Sequence, residues 1–198
     1  MILYGVVILI AWVVVILLNY FISANIFGFG IWYIIFAVVL STIVVMAIDG
    51  ITAGVVRLMP SKWFDPFAKR SKVCKWEKSF YERLGIKKWK DLVPDLGQLT
   101  HFKKNKIAEP KNNEYIKRYL LEAMYGRVGH FVSFFTGFLV IFIYPLEYAL
   151  CFGVPVAVVN LLLNSLSWMT LRYNTPKLIT LYRWNERNQI KENEKTAE

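Results

Sequence analysis

Apolar and polar positions divide the chain into two apolar blocks, with one polar stretch between them and another after the second. Met1 to Tyr20 contains no charged residue, and Ala24 to Ile48 contains none. Each run is long enough to cross a hydrocarbon core about 30 Å thick as a helix rising about 1.5 Å per residue. The "NYFISANIF" between them is too short for a domain, so residues 1–50 read as a transmembrane hairpin. "ISA" at Ile22 to Ala24 superficially suits a signal-peptidase site, but the start has no Lys or Arg and its apolar run is too long. The first helix is therefore read as retained.

The second block, His130 to Leu171, is broken by "YPLEY" at Tyr144 to Tyr148 and by Pro155. Its length predicts two crossings with a turn at Pro145 and Glu147, the first borrowing residues from the preceding "NEYIKRYLLEAMYGRVG". A re-entrant pair around Glu147 and Pro155 fits the same hydropathy. The pattern thus predicts an all-α integral membrane protein with about four transmembrane helices. Residues 51–128 form a basic, cytoplasmic or interfacial helical region, 129–172 a second transmembrane hairpin, and 173–198 a polar cytoplasmic tail, whose end "RWNERNQIKENEKTAE" (Arg183 to Glu198) is expected to fray.

Within the basic region, Val73, Trp76, Phe80 and Leu84 recur at helical spacing from Lys72 to Leu84, with Lys75, Lys78, Glu82 and Arg83 off that stripe. Such a helix is expected to lie in the headgroup plane with its aromatic side inward. Gly85 suits its C-terminal cap, and "IKKWKDL" begins a second short amphipathic helix ended by Pro94. From spacing alone this is a basic surface helix pair attracted to anionic lipid.

Composition agrees with the pattern: 56% of residues are hydrophobic and 19% charged, against about a quarter charged in soluble domains. Charge adds orientation. Ser61 to Val128 holds 17 Lys/Arg and 8 Asp/Glu, and Arg172 to Glu198 holds 6 and 4, which accounts for nearly all of the net +10. Short basic loops stay inside, which places the termini and the central loop on the cytoplasmic side. Trp12, Trp32, Tyr33, Trp63 and Trp168 are candidate interfacial anchors, Trp12 the deepest. The cations interleave with Trp, Phe and Leu beside apolar spans, so an anionic inner leaflet is the expected partner and nucleic acid is not.

Cys74 and Cys151 fall on different levels, and no disulfide is expected. No CxxC or Cys/His cluster with zinc spacing occurs, so no soft-ligand metal site is expected. There is no G-x-S-x-G elbow, P-loop, G-x-G-x-x-G after a strand, or H-E-x-x-H, and no His followed four residues later by Asp.

An ordered set of motifs nevertheless resembles a known family. It comprises "FYERLGIKKWKDLVPD" (Phe80 to Asp95), "HFKKNKI" (His101 to Ile107), Glu122 eight residues before His130, and Asn164 eight residues before "RYNTPKL" (Arg172 to Leu178). Together they resemble the glycosyl-diaponeurosporenoate acyltransferase family, small bacterial membrane proteins of a carotenoid pathway. The chain departs from that pattern at Met124 and Tyr125, where the family has Arg, and at Arg127, where it has Glu. Leu166 replaces a Pro and Leu171 a Gln. These changes bear on substrate identity more than on fold.

The resemblance implies an O-acyltransferase that esterifies a hydroxyl of a membrane glycolipid or terpenoid glycoside. It needs no bound cofactor, and its co-substrate is an acyl thioester of coenzyme A or a carrier protein. Such a transfer requires a base near neutrality and donors for the tetrahedral oxyanion. Histidine suits the first task, with an ordinary pKa of about 6.5, and His101 and His130 are the two histidines. His130, at the mouth of the third span, is placed to meet Glu122, Asn164 or Arg172. By position alone it also reads as a structural interfacial histidine, and His101 as a solvated loop histidine.

Arg172, Asn174 and Lys177 suit a phosphate or carboxylate, or simply mark a positive-inside stop. Asn160 and Asn164 share a helix face and suit either a site or interhelical adhesion. Lys87, Lys88, Lys90, Asp91 and Asp95 suit a headgroup or donor clamp, or a solvated basic face. Trp89 reads as an anchor, and Glu82 is expected to pair with Arg83 or Lys78. A non-enzymatic membrane adaptor or lipid-binding protein is the alternative.

Overall fold

The computed structural model describes residues 2–93 and 107–196, so the expectations for Pro94, Asp95 and His101 lie outside the described residues. Every regular element among them is helical. In chain order these are α1 (Ile2–Phe21), α2 (Ser23–Phe27), α3 (Ile31–Leu58), α4 (Lys75–Arg83), α5 (Ile86–Trp89), α6 (Asn113–Thr136), α7 (Leu146–Ala149) and α8 (Gly153–Thr196). Short 3₁₀ turns cover Ser61–Phe64 and Lys69–Ser71, and a longer one, Gly137–Ile143, prolongs α6. Three of these helices are long and apolar enough to cross a membrane: α3, α6 with its extension, and α8. Gly5–Phe21 in α1 is a shorter apolar helix. The expected turn between the later crossings is present, with Pro145 preceding α7.

The chain divides into two compact units, Met1–Leu58 with Val128–Leu166, and Met59–Arg127 with Ser167–Glu198. In the first unit, Val15, Ile34, Ala37, Val38 and Phe152 form one buried cluster, and Val45, Val140, Val156 and Ala157 another. In hydrocarbon, helix contact removes no area from water, so close packing and interhelical hydrogen bonds must hold such helices, at about 0.6 kcal/mol per bond. The unit supplies several. Buried Asn19 donates to the carbonyl of Cys151 at 2.8 Å. The Tyr144 hydroxyl donates to the carbonyl of Ala37 at 2.8 Å. The Trp12 indole donates to Thr42 Oγ1 at 2.9 Å, so the side chain expected as an anchor ties α1 to α3. Trp32, by contrast, is exposed.

In the second unit, Ile116, Tyr119 and Leu120 of α6 pack on Leu178 of α8, and Tyr81 and Ile86 pack on Tyr173. Each such side chain removed from water contributes about 1.5–3 kcal/mol. Asn112 caps α6, its Oδ1 accepting from the Glu114 and Tyr115 amides at 3.0 and 3.2 Å. After α4 the chain turns through Gly85 at φ +69°, a left-handed position that a glycine occupies without strain, and enters α5.

Two features differ from the pattern. The side of α4 that enters the unit carries Glu77 and Tyr81, whereas Trp76, Phe80 and Leu84 are exposed. A buried carboxylate is possible on that side because it is fully partnered, as described below. The segment expected to fray, from Arg183 onward, is helical as far as Thr196, with α8 continuing through Pro176. Thr175 supports the turn around that proline by donating to the Leu171 carbonyl at 2.7 Å, and buried Asn185 ties the later part to the Pro110 carbonyl at 2.8 Å.

Candidate active site

The first unit contains a polar chain contributed by three helices. Asp49 is the one acid in α3, within an otherwise apolar run. Asn160 and Asn164, four residues apart on α8, both turn toward it. Asn164 Nδ2 lies 3.0 Å from Asp49 Oδ2, and Asn160 Nδ2 lies 3.3 Å from Asp49 Oδ1. Asn164 Nδ2 also lies 2.9 Å from Asn160 Oδ1. On the other side, Asn164 Oδ1 lies 2.7 Å from Nδ1 of His130 on α6. Both asparagines are buried, while His130 and Asp49 are half-buried.

This arrangement fixes proton positions. A carboxylate only accepts, so the NH₂ of Asn164 must face Asp49 and its oxygen must face His130. That oxygen also only accepts, so the 2.7 Å bond requires the imidazole proton on Nδ1. In the neutral ring the basic lone pair is then on Nε2. An acid, an amide and an imidazole in series therefore hold the His130 ring in one orientation, in apolar surroundings where such bonds are strengthened. Gly137 makes room for the chain: a Cβ there would collide with the Asn160 amide.

The second unit contains an ion-pair cluster. Arg172 of α8 grips Glu77 of α4 with both arms of its fork: Nε meets Oε1, and Nη2 meets Oε2 at 2.6 Å. The Tyr81 hydroxyl donates to the same carboxylate, and the Arg172 guanidinium lies over the Trp168 ring, 5.3 Å from its centre. Burial pushes the Glu77 carboxyl up, but hydrogen bonds from Arg172, Tyr81 and the Cys74 backbone, with the charge of Arg172, outweigh it and hold the group below the ordinary carboxylate value. Burial and the Glu77 carboxylate push the Tyr81 phenol up. Buried Arg127 donates to the Ser71 carbonyl at 3.1 Å.

The remaining candidates lie in this unit as well. Glu82 is exposed and pairs with Lys87 at 3.1 Å and with the Tyr173 hydroxyl at 3.1 Å, in place of the Arg83 or Lys78 that sequence favoured. Lys87 and Tyr173, as hydrogen-bond donors, hold its carboxyl below the ordinary value. Trp89 packs with Tyr81, Ile86 and Tyr173, and its indole donates to the Leu84 carbonyl. Lys90 pairs with Asp91 at 2.7 Å, and Lys88 is exposed. Asn174 is half-buried on α8, and Glu122 is half-buried on α6 within this second unit. The structure thus joins His130 to Asn164 and Asn160, and gives Arg172 an internal partner. Among the described residues, no three His, Cys, Asp or Glu side chains gather as metal ligands.

Asp49 and Glu77 were not singled out from sequence as site residues. Asp49 had a legible signal, since a lone acid in a span-length apolar helix needs a partner and a purpose. Glu77 had none, because an acid among lysines reads as part of a solvated face.

These observations define an all-helical membrane protein with a partnered imidazole inside its apolar unit. The chain belongs to the glycosyl-4,4'-diaponeurosporenoate acyltransferase family, which matches over residues 60–184. No curated protein and no solved structure matches it. His130, Asn164, Glu77 and Arg172 fall inside the matched stretch, and Asp49 falls before it.

Proposed function

We propose that the protein esterifies a hydroxyl of a membrane glycolipid or terpenoid glycoside with a fatty acyl chain delivered as a thioester, with His130 as general base. The observation that carries this reading is the 2.7 Å contact of His130 Nδ1 with Asn164 Oδ1, itself held by Asp49. With Nδ1 protonated, Nε2 takes the acceptor's hydroxyl proton as the oxygen attacks the thioester carbonyl carbon. The C–O bond forms, the C–S bond breaks, and the imidazolium returns the proton to the departing thiolate. General-base assistance of this kind contributes about 10²- to 10⁴-fold.

The family name supports a lipid-linked glycoside as acceptor. The donor is an acyl thioester of coenzyme A or of a carrier protein. In the second unit the Arg172 fork is closed on Glu77, and Lys88 and Lys177 are exposed. Trp76, Phe80 and Leu84, exposed on α4 among lysines, are assigned to the headgroup zone of an anionic inner leaflet, with the basic region and both termini in the cytoplasm.

The test is transfer of a labelled acyl chain into lipid by membranes containing the full chain or its His130→Ala variant. Loss of at least about a hundredfold is expected, and an unchanged rate at equal membrane abundance refutes the base assignment.

A further inference from the structure

The turn at Gly85 joins α4 to α5, and Tyr81, Ile86 and Trp89 pack with Tyr173 of α8. That packing draws lysines from three elements of the second unit together. The charged neighbours of Lys177 on α8 are Lys90 at the end of α5, Lys87 of α5 and Lys78 of α4, and Asp91 is the acid that offsets them. Lys177 is held in this company. Its Nζ lies over the Tyr173 ring, 4.6 Å from the centre, where the face of an aromatic ring attracts a cation. The ring is itself fixed, being buried and bonded through its hydroxyl to Glu82 at 3.1 Å.

The acids of the cluster are already taken. Glu82 accepts from Lys87 at 3.1 Å and from the Tyr173 hydroxyl, and Asp91 accepts from Lys90 at 2.7 Å. Lys78 and Lys177 have no carboxylate partner among the described residues. Four ammonium groups therefore meet two carboxylates, which leaves two positive charges in excess. Like charges brought together repel, and a basic face that was merely solvated would spread them apart. Keeping a loop on the cytoplasmic side requires only a number of cations near a span, with no convergence of separate elements.

We propose that Lys78, Lys87, Lys90 and Lys177 form a binding site for a phosphate ester, borne by a soluble acyl donor or by an anionic lipid headgroup. A phosphate monoester carries a charge of about −1.5 to −2 at pH 7, which matches the excess, and three oxygens that can be shared among donors from three elements. Lysine suits it as a compact point charge, whereas a flat carboxylate is better met by the planar fork of an arginine. The inference goes beyond the acyl-transfer reading, and it is read by binding without turnover.

The experiment measures binding to the full chain in phosphatidylcholine nanodiscs. One arm titrates coenzyme A, and the other counts the phosphatidylglycerol retained when that lipid is added to the disc. Lys78→Gln combined with Lys177→Gln is expected to weaken at least one probe by about fivefold for each lysine removed, the scale of one cation near an anionic surface. Lys78→Arg combined with Lys177→Arg keeps the charge and is expected to keep the binding. Lys62→Gln, at an exposed lysine of the turn Ser61–Phe64, is the control expected to change nothing. Loss of coenzyme A binding alone assigns the phosphate to a soluble donor, loss of phosphatidylglycerol alone assigns it to a headgroup, and loss of both shows one site open to either source. If the double glutamine variant holds both probes as the parent does, or Lys62→Gln weakens them equally, the cluster is a general basic face and the inference is overturned. His130→Ala is expected to bind both probes normally, so failure of the base assignment and failure of this site are read separately.

Discussion

Nδ1 of His130 lies 2.7 Å from Oδ1 of Asn164, and the amide nitrogen of the same asparagine lies 3.0 Å from a carboxylate oxygen of Asp49. One amide therefore faces an acceptor on one side and a donor on the other, and it transmits the acid's polarity to the imidazole. Asn164→Ala removes the orientation while leaving the imidazole proposed as base. The expected result is a fall in kcat of roughly ten- to a hundredfold with KM little changed, the scale on which partners that orient a functional imidazole act. Steady-state kinetics in membranes measures the split. A rise in KM alone would place Asn164 in substrate binding.

Asp49 is expected to matter twice. Asp49→Leu leaves the NH₂ of Asn160 without its carboxylate in apolar surroundings, at about 1–3 kcal/mol for an unsatisfied group, while the NH₂ of Asn164 keeps the Asn160 oxygens. Asp49→Asn keeps one acceptor oxygen and should be milder in stability but still impaired in turnover. Thermal unfolding in detergent, compared with kcat for the two variants, separates these effects. Equal stability of Asp49→Leu and the parent would contradict the bonding described.

Gly137 has a steric role that can be relieved. Gly137→Ala drives a methyl group into the Asn160 amide, with an expected loss of about 1–3 kcal/mol typical of overpacking. Adding Asn160→Ser removes the colliding atoms, so the double variant should recover stability relative to Gly137→Ala. Additive losses would show that the two positions do not meet.

Glu77 and Arg172 form a buried ion pair, and removing one partner strands the other, at about 3–5 kcal/mol. Glu77→Ala and Arg172→Ala are each expected to lose that much, and the double variant far less than the sum. The pair also carries a pH signature. Because the folded Glu77 carboxyl is held below its ordinary value, the stabilisation is complete above about pH 4.3, where an unfolded Glu is ionised. It is lost as pH falls through the depressed folded value. Thermal melts of wild type and Glu77→Gln across that acid range should converge as the pH drops. Parallel curves would contradict the assignment.

Much of the architecture was legible because bilayer thickness imposes a length on charge-free runs and because Pro145 interrupts the second block. The capped turn at Gly85 was legible for a similar local reason: only one residue type enters that conformation cheaply. The buried side of α4 was not. Its strongest helical stripe, Trp76, Phe80 and Leu84, faces away from the unit, whereas the side that enters it carries an acid whose partner, Arg172, lies 95 residues away in sequence. The site was half legible in the same sense. His130 and Asn164 stood out through ordered motifs, but Asp49 acquires its meaning only when α3 and α8 bring it to two asparagines. Arg172 looked like a ligand for an external anion, and folding supplies an internal one.

The most direct test of the central claim is chemical rescue of acyl transfer in a His130→Gly variant. The expected rate is reduced by about 10²- to 10⁴-fold and climbs saturably when imidazole is added, with no such response in Asn164→Ala, which retains its own imidazole. A His130→Gly variant that transfers acyl chains at the wild-type rate without imidazole would contradict it.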